Sequence, residues 1–151
     1  MSRPLRTATS FVLDASMTLA WFFDDETTAY TEAVFDLVTN GAEVLAPPLW
    51  PYEVANSLAV AERRKRTTPA KTAAFLDRLA RFPITIVWSE ANLVGRIFDQ
   101  VLSLARHHKL SAYDAAYLEL ALRAGLPLAS LDRDLRKAAE AAGVDLVNPK
   151  P

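Results

Sequence analysis

A chain of 151 residues, 51% hydrophobic and 23% charged, has the size and composition of one globular domain. It contains no cysteine, which excludes disulfides, thiolate zinc sites and a cysteine nucleophile and suits a reducing cytoplasm. The net charge of −1 sets the chain apart from strongly basic nucleic-acid binders, so any affinity for nucleic acid has to come from local runs of cations.

Residues 1–9 form a short flexible arm in this reading, ahead of a domain spanning 10–151. Arg3 and Arg6 precede an apolar stretch from Phe11 to Phe23, but Asp14 interrupts it, which argues against a signal peptide. No apolar run approaches the roughly 18 residues of a membrane span, so the chain is expected in the cytoplasm, away from membranes. Ser10 to Asp14 is a short apolar run ending in an acid, as a buried strand does. Helical sequence follows, continuing as an amphipathic helix from Thr27 to Asn40, where Asn40-Gly41 stops it. Glu43 to Ala46 is a second strand. Pro47 and Pro48 break the chain, and Trp50 to Arg66 is a helix. Another runs from Pro69, a residue suited to a first turn, to about Arg81. Ile84 to Val87 is a third strand. Ser89 and Glu90 open a long helix to about His108, and Ser111 opens the next, which ends at Gly125. Leu126 to Ser130 is a fourth strand, Arg133 to Ala142 a helix, and Val144 to Val147 a candidate fifth strand. Strands alternating with helices predict an α/β fold: three α/β/α layers around a central parallel sheet of four to five strands.

Open parallel sheets bind ligands beyond the carboxyl ends of their strands, and acids fall there. Asp14 ends the first strand, and Asp132 follows the fourth. Glu53 and Asp114 lie in the first turns of helices starting at that same end. Each has an ordinary explanation: Asp14 and Asp132 can cap helices, Ser111-Ala-Tyr-Asp114 fits a capping box, and Glu53 suits a helix N-terminus. Together they are four carboxylates whose mutual repulsion a cation relieves. Oxygen-only ligands select magnesium or manganese over zinc. Asn56, on the helix face of Glu53, and Ser16, two residues past Asp14, are placed to support such a site.

These residues resemble a known family. Val-Leu-Asp14-Ala-Ser16, Pro51-Tyr-Glu53-Val-Ala-Asn56, Leu110-Ser-Ala-Tyr-Asp114-Ala-Ala-Tyr117 and Leu128-Ala-Ser130-Leu-Asp132-Arg-Asp134 look like the four motifs of PIN domains, in order, from about Phe11 to Val147. Ser130 stands where the family more often has threonine, and the hydroxyl survives. The compact form is similar to the VapC-type toxins of prokaryotic toxin–antitoxin pairs. The resemblance implies an endoribonuclease using one or two Mg2+ (or Mn2+) ions, a homodimer, and a small neutralising antitoxin. By position Asp14, Glu53, Asp114 and Asp132 match the catalytic acids, with Asp14, Asp114 and Asp132 on the metal. Glu53 is either a ligand or a general base. Ser16, Asn56, Ser130 and Asp134 are supporting residues.

The run Arg63, Arg64, Lys65 and Arg66 is expected at the mouth of an RNA groove. Two further runs, Arg106 to Lys109 and Arg133 with Arg136 and Lys137, fit solvated helix ends. The competing reading is a catalytically inactive PIN-like scaffold that binds RNA or protein. A phosphoacceptor receiver domain is disfavoured because the third strand runs into Trp88 and Ser89 without an aspartate. A haloacid-dehalogenase phosphatase is disfavoured because Asp14-Ala-Ser16 lacks the second acid.

Overall fold

The computed structural model describes residues 10–88 and 92–149. The arm at residues 1–9 and the helix start expected at Ser89 and Glu90 lie outside the described residues. In chain order the elements are β1 (Phe11–Leu13), α1 (Ala15–Ala20), a 3-10 turn (Asp24–Glu26), α2 (Ala29–Thr39), β2 (Val44–Ala46), α3 (Trp50–Arg63), α4 (Pro69–Leu79) and β3 (Ile84–Ile86). Then follow α5 (Leu93–Arg96), a π-helical turn (Ile97–Val101), α6 (Leu102–His108), α7 (Ala112–Ala124), β4 (Leu128–Ala129) and α8 (Arg133–Ala141).

The four strands form one sheet in the order β3-β2-β1-β4, with every pairing parallel. β1 lies inside the sheet, and all three of its residues are fully buried. Helices cover both faces of such a strand, so its sequence is a continuous apolar run rather than an alternation. The expected fifth strand is reduced to a single bridge between Leu128 and Leu146, beside a β4 only two residues long. Its hydrogen bonds are Leu128 N–H to the Asp145 carbonyl and Val147 N–H to the Leu128 carbonyl, both 2.9 Å.

Helix boundaries follow local chemistry. Thr28 and Thr31 form a reciprocal capping box at α2: the Thr28 hydroxyl accepts from Thr31 N–H at 3.2 Å, and Thr31 Oγ1 accepts from Thr28 N–H at 2.8 Å. Thr28→Ala is expected to lower stability by about 1 kcal/mol, seen as a lower denaturation midpoint with unchanged slope; an unchanged midpoint would show that water caps this helix equally well. Thr68 caps α4 ahead of Pro69, and Gly125 ends α7 at φ +65, a conformation L side chains rarely adopt. The long helix expected to end near His108 runs without a break from Leu93 to His108, with the π turn inside it.

The core joins sheet and helices through Phe11, Leu13, Met17, Val34, Val44, Tyr117, Leu118, Leu128 and Leu135. Trp21 and Phe22 pack partly buried against this core, and Phe23 is buried in it. Trp50 is buried too, and its indole N–H donates to Thr18 Oγ1 at 3.0 Å, fixing the start of α3 against α1.

Candidate active site

The strand order places a switch point between β1 and β4. From β1 the chain moves to β2 and β3 on one side and returns to β4 on the other. A crevice opens beyond the strand ends at such a point. Asp14 follows β1 and Ser130 follows β4, and the two meet there.

Asp14 occupies the N-cap position of α1 without capping it. Its side chain turns to the switch point, where Oδ2 accepts from Ser130 Oγ at 2.6 Å and Ser16 Oγ at 2.8 Å. Each serine oxygen in turn accepts a backbone N–H of the loop after β4: Asp132 N–H to Ser130 Oγ and Leu131 N–H to Ser16 Oγ, both 3.0 Å. Two relays therefore fasten that loop to one carboxylate. Arg136 adds a third tie, donating to the Ser130 carbonyl at 3.0 Å. Asp14 is 4% exposed. Burial pushes its carboxyl above the usual carboxylate range, against the opposing pull of the Ser130 and Ser16 bonds.

Glu53 reaches the crevice from the first turn of α3. Tyr117, fully buried on α7, donates its hydroxyl to Glu53 Oε1 at 2.6 Å. Burial raises the Glu53 pKa, the tyrosine bond opposes this, and the charge of Asp14 adds to it. Burial and the Glu53 bond likewise raise the Tyr117 hydroxyl, so it remains a donor. The sequence alone assigns Tyr117 no role; the available signal is its spacing from Asp114, which puts both on one face of α7.

Asp114 stands in the first turn of α7, whose N-cap Ser111 accepts the Asp114 N–H at 3.1 Å. Its pKa is pushed up to about 6, first by burial, then by the charges of Asp132, Asp14 and Glu53. Asp132 is the N-cap of α8, its Oδ1 accepting Leu135 N–H at 2.8 Å. Asp14, Ser16, Glu53, Asn56, Asp114 and Asp132 line one cavity of about 260 Å³. Asp134 is exposed in the first turn of α8 and does not line it.

The donor chemistry is that of a hard cation: carboxylates and hydroxyls, with no sulfur or imidazole. As placed, among the described residues, no three His, Asp or Glu side chains stand close enough together to grip one ion. Asp14 Oδ2, Glu53 Oε1 and Asp132 Oδ1 are each engaged in a hydrogen bond within the protein.

Burial of Asp114, joined by the repulsion of its neighbours, has a measurable consequence. Asp114 in the folded chain holds a proton to about pH 6, whereas the unfolded carboxyl releases it near 3.8. Its contribution to stability is therefore full below about pH 4 and is lost as pH rises through 6. At full strength this displacement corresponds to about 3 kcal/mol; for a half-buried group, screening reduces it to about 1 kcal/mol. Asp14 and Glu53 are shifted in the same direction and carry the same sign. Added Mg2+ is accordingly expected to raise Tm clearly above pH 7 and little at pH 5, in melts with and without chelator. An equal gain at both pH values would contradict this electrostatic account.

Other charged groups lie elsewhere. Arg63, Arg64, Lys65 and Arg66 are exposed at the end of α3, and Arg66 pairs with Asp25. His107 and His108 stack edge to face at the end of α6. A separate hollow of about 620 Å³ is lined by Arg96, Glu119 and Arg123 among others; there Glu119 accepts from Arg123 Nε at 2.9 Å and Arg96 Nη1 at 3.4 Å. No helix of the described residues is long and apolar enough to cross a membrane.

The family model for the PIN domain matches residues 11–141. Ribonuclease VapC3 of Pyrobaculum aerophilum is 30% identical over 124 residues, covering 82% of this chain and 90% of that protein. The crystal structure of PAE2754 from Pyrobaculum aerophilum shares the fold, with a TM-score of 0.60 and 23% identity over 87% of this chain and 85% of that one.

Proposed function

Because the chain belongs to the PIN domain family, we propose that it is a metal-dependent endoribonuclease, the toxin of a VapBC-type toxin–antitoxin pair, hydrolysing RNA phosphodiester bonds in the cytoplasm. The observation that carries this reading is the single cavity outside the β1–β4 switch point, lined by four carboxylates from four separate segments. The ribonuclease name of the 30% identical relative supports it.

In this reading Asp14, Asp114 and Asp132, which line one cavity, would draw closer than they stand here to hold Mg2+ or Mn2+. When bound, such an ion supplies Lewis acidity toward the scissile phosphate and lowers the pKa of a water. The protein's own groups do the rest. Ser16 and Ser130 fix the Asp14 carboxylate by donating to one oxygen, leaving Oδ1 free of those two bonds. Tyr117 holds Glu53 by Oε1, and Glu53 takes the proton of the attacking water, a role its raised pKa suits. Burial of Asp14 and partial burial of Glu53 reduce the screening of these carboxylates by bulk solvent. The antitoxin and a second copy of the chain complete the assembly. The exposed Val94, Ile97, Phe98 and Leu102 supply apolar surface of the kind protein partners cover.

The test is cleavage of RNA in vitro with magnesium, with manganese and with chelator, comparing the parent with Asp14→Asn. Metal-dependent cutting that the substitution abolishes is expected. RNA binding without cutting under every metal condition would favour the inactive scaffold.

A further inference from the structure

Helix α3 extends the site in one direction. Counting from Glu53, residues 56, 57, 60 and 64 recur at helical spacing, so Asn56, Ser57, Val60 and Arg64 share its face. The helix rises about 16 Å between Glu53 and Arg64. Two cavities lie end to end along this row. Leu19, Asn56 and Ser57 line the acidic cavity and also a second one of about 290 Å³, which continues to Val60, Arg64 and Arg66.

The second cavity has three kinds of wall. Leu19, Val60 and Phe23 are apolar, Asn56 and Ser57 offer hydrogen bonds, and Arg64 and Arg66 close the far end with positive charge; Glu26 also borders it. A single-stranded nucleotide presents the complementary set: a flat base, polar edges and a phosphate. Arg63 and Lys65, of the same basic run, do not line it.

Arg66 is preset. Its guanidinium lies over the Phe23 ring at 3.8 Å. Nη2 contacts Asp25 at 2.6 and 2.8 Å and Glu26 at 3.6 Å. These side chains are exposed, and exposed pairs are weak. A phosphate presents the same acceptor oxygens to a guanidinium as a carboxylate does.

Resting on the nuclease reading, we propose that this second cavity seats a nucleotide flanking the scissile phosphate, with Arg64 and Arg66 on its phosphate, and that Asp25 is the carboxylate which that phosphate displaces. Stacking on Phe23 keeps Arg66 in place through the exchange.

The test measures binding of a short fluorescent single-stranded RNA against salt, in full-length protein carrying Asp14→Asn so that the probe survives. Arg64→Ala and Arg66→Ala are each expected to weaken binding about three- to tenfold and to reduce the salt slope by about 0.7, one phosphate contact apiece. Arg63→Ala and Lys65→Ala are expected to leave both nearly unchanged. Asp25→Asn is expected to tighten binding about two- to threefold by removing the competitor. Arg64→Ala disturbs no side-chain bond described above, so it decides the matter even if Arg66→Ala unfolds. Equal losses across all four cations, or Asp25→Asn without gain, overturn the subsite. So does loss of antitoxin capture with RNA binding intact, which would make the cavity a protein site. If the parent cuts RNA and the groove variants bind it normally, the subsite alone fails; if the parent neither binds nor cuts RNA, the nuclease reading fails with it.

Discussion

Asp14→Asn is expected to reduce RNA cleavage by at least about a hundredfold while making the metal-free protein more stable. Both effects have one source. The carboxylate is buried, and its charge is opposed by desolvation. Asparagine keeps an oxygen where Oδ2 accepts from Ser16 and Ser130, so the ties to the loop after β4 persist. Its amide replaces the other oxygen, removing the charge a cation needs and the charge the fold tolerates poorly. The stability gain is about 1 kcal/mol, which for a domain of this size moves Tm up by roughly 2–4 °C. Chelator should preserve that gain, and Mg2+ should narrow it by stabilising only the parent. Cleavage above a tenth of the parent rate would remove Asp14 from the centre of the mechanism. A Tm well below the parent would show that the carboxylate holds the fold rather than burdening it.

Tyr117→Phe is expected to slow cleavage about ten- to a hundredfold, acting through Glu53 as a positioning residue. The ring is fully buried, and phenylalanine fills the same volume. What disappears is the 2.6 Å bond that orients Glu53 and favours its ionised form. The stability cost is about 1 kcal/mol. The diagnostic readout is the pH profile: without that bond the Glu53 pKa rises further, so the acidic limb of the rate profile moves to higher pH. A purely structural role would lower Tm and leave that limb where it was. An unchanged limb with an unchanged rate would mean that Glu53 is oriented by other contacts.

Much of this architecture is legible in the sequence because two local rules agree. Short apolar runs ending at Leu13, Ala46 and Ala129 mark parallel strands, and acids placed just beyond them or in adjoining first helical turns converge at one sheet end. Caps such as Thr68 and Ser111 fix helix starts by the same local logic. What the sequence hides depends on partners far away along the chain. The bond from Tyr117 to Glu53 and the Arg136 tie to Ser130 join elements whose facing is set only by packing. Asp14 illustrates the limit: its position suggests a helix cap, and only the neighbouring β4 draws its side chain toward Ser130 instead. The π turn at Ile97–Val101 is a slip of the backbone ladder with no residue signature, so the sequence announces the helix ending at His108 but not the π turn within it. The basic run is four equivalent cations in sequence, yet the face of α3 carries Arg64, and the left-handed turn at Lys65 (φ 57) returns Arg66, to the cavity beside the acids.

The place of β4 beside β1 also governs timing. Synthesis proceeds from the N-terminus, and the strand that supplies Ser130 and leads to Asp132 is the last of the sheet to emerge. Until it docks, Asp14 lacks its Ser130 partner, and the crevice has no second wall. On a growing chain the crevice therefore takes shape only after residues 128–132 have emerged and docked beside β1.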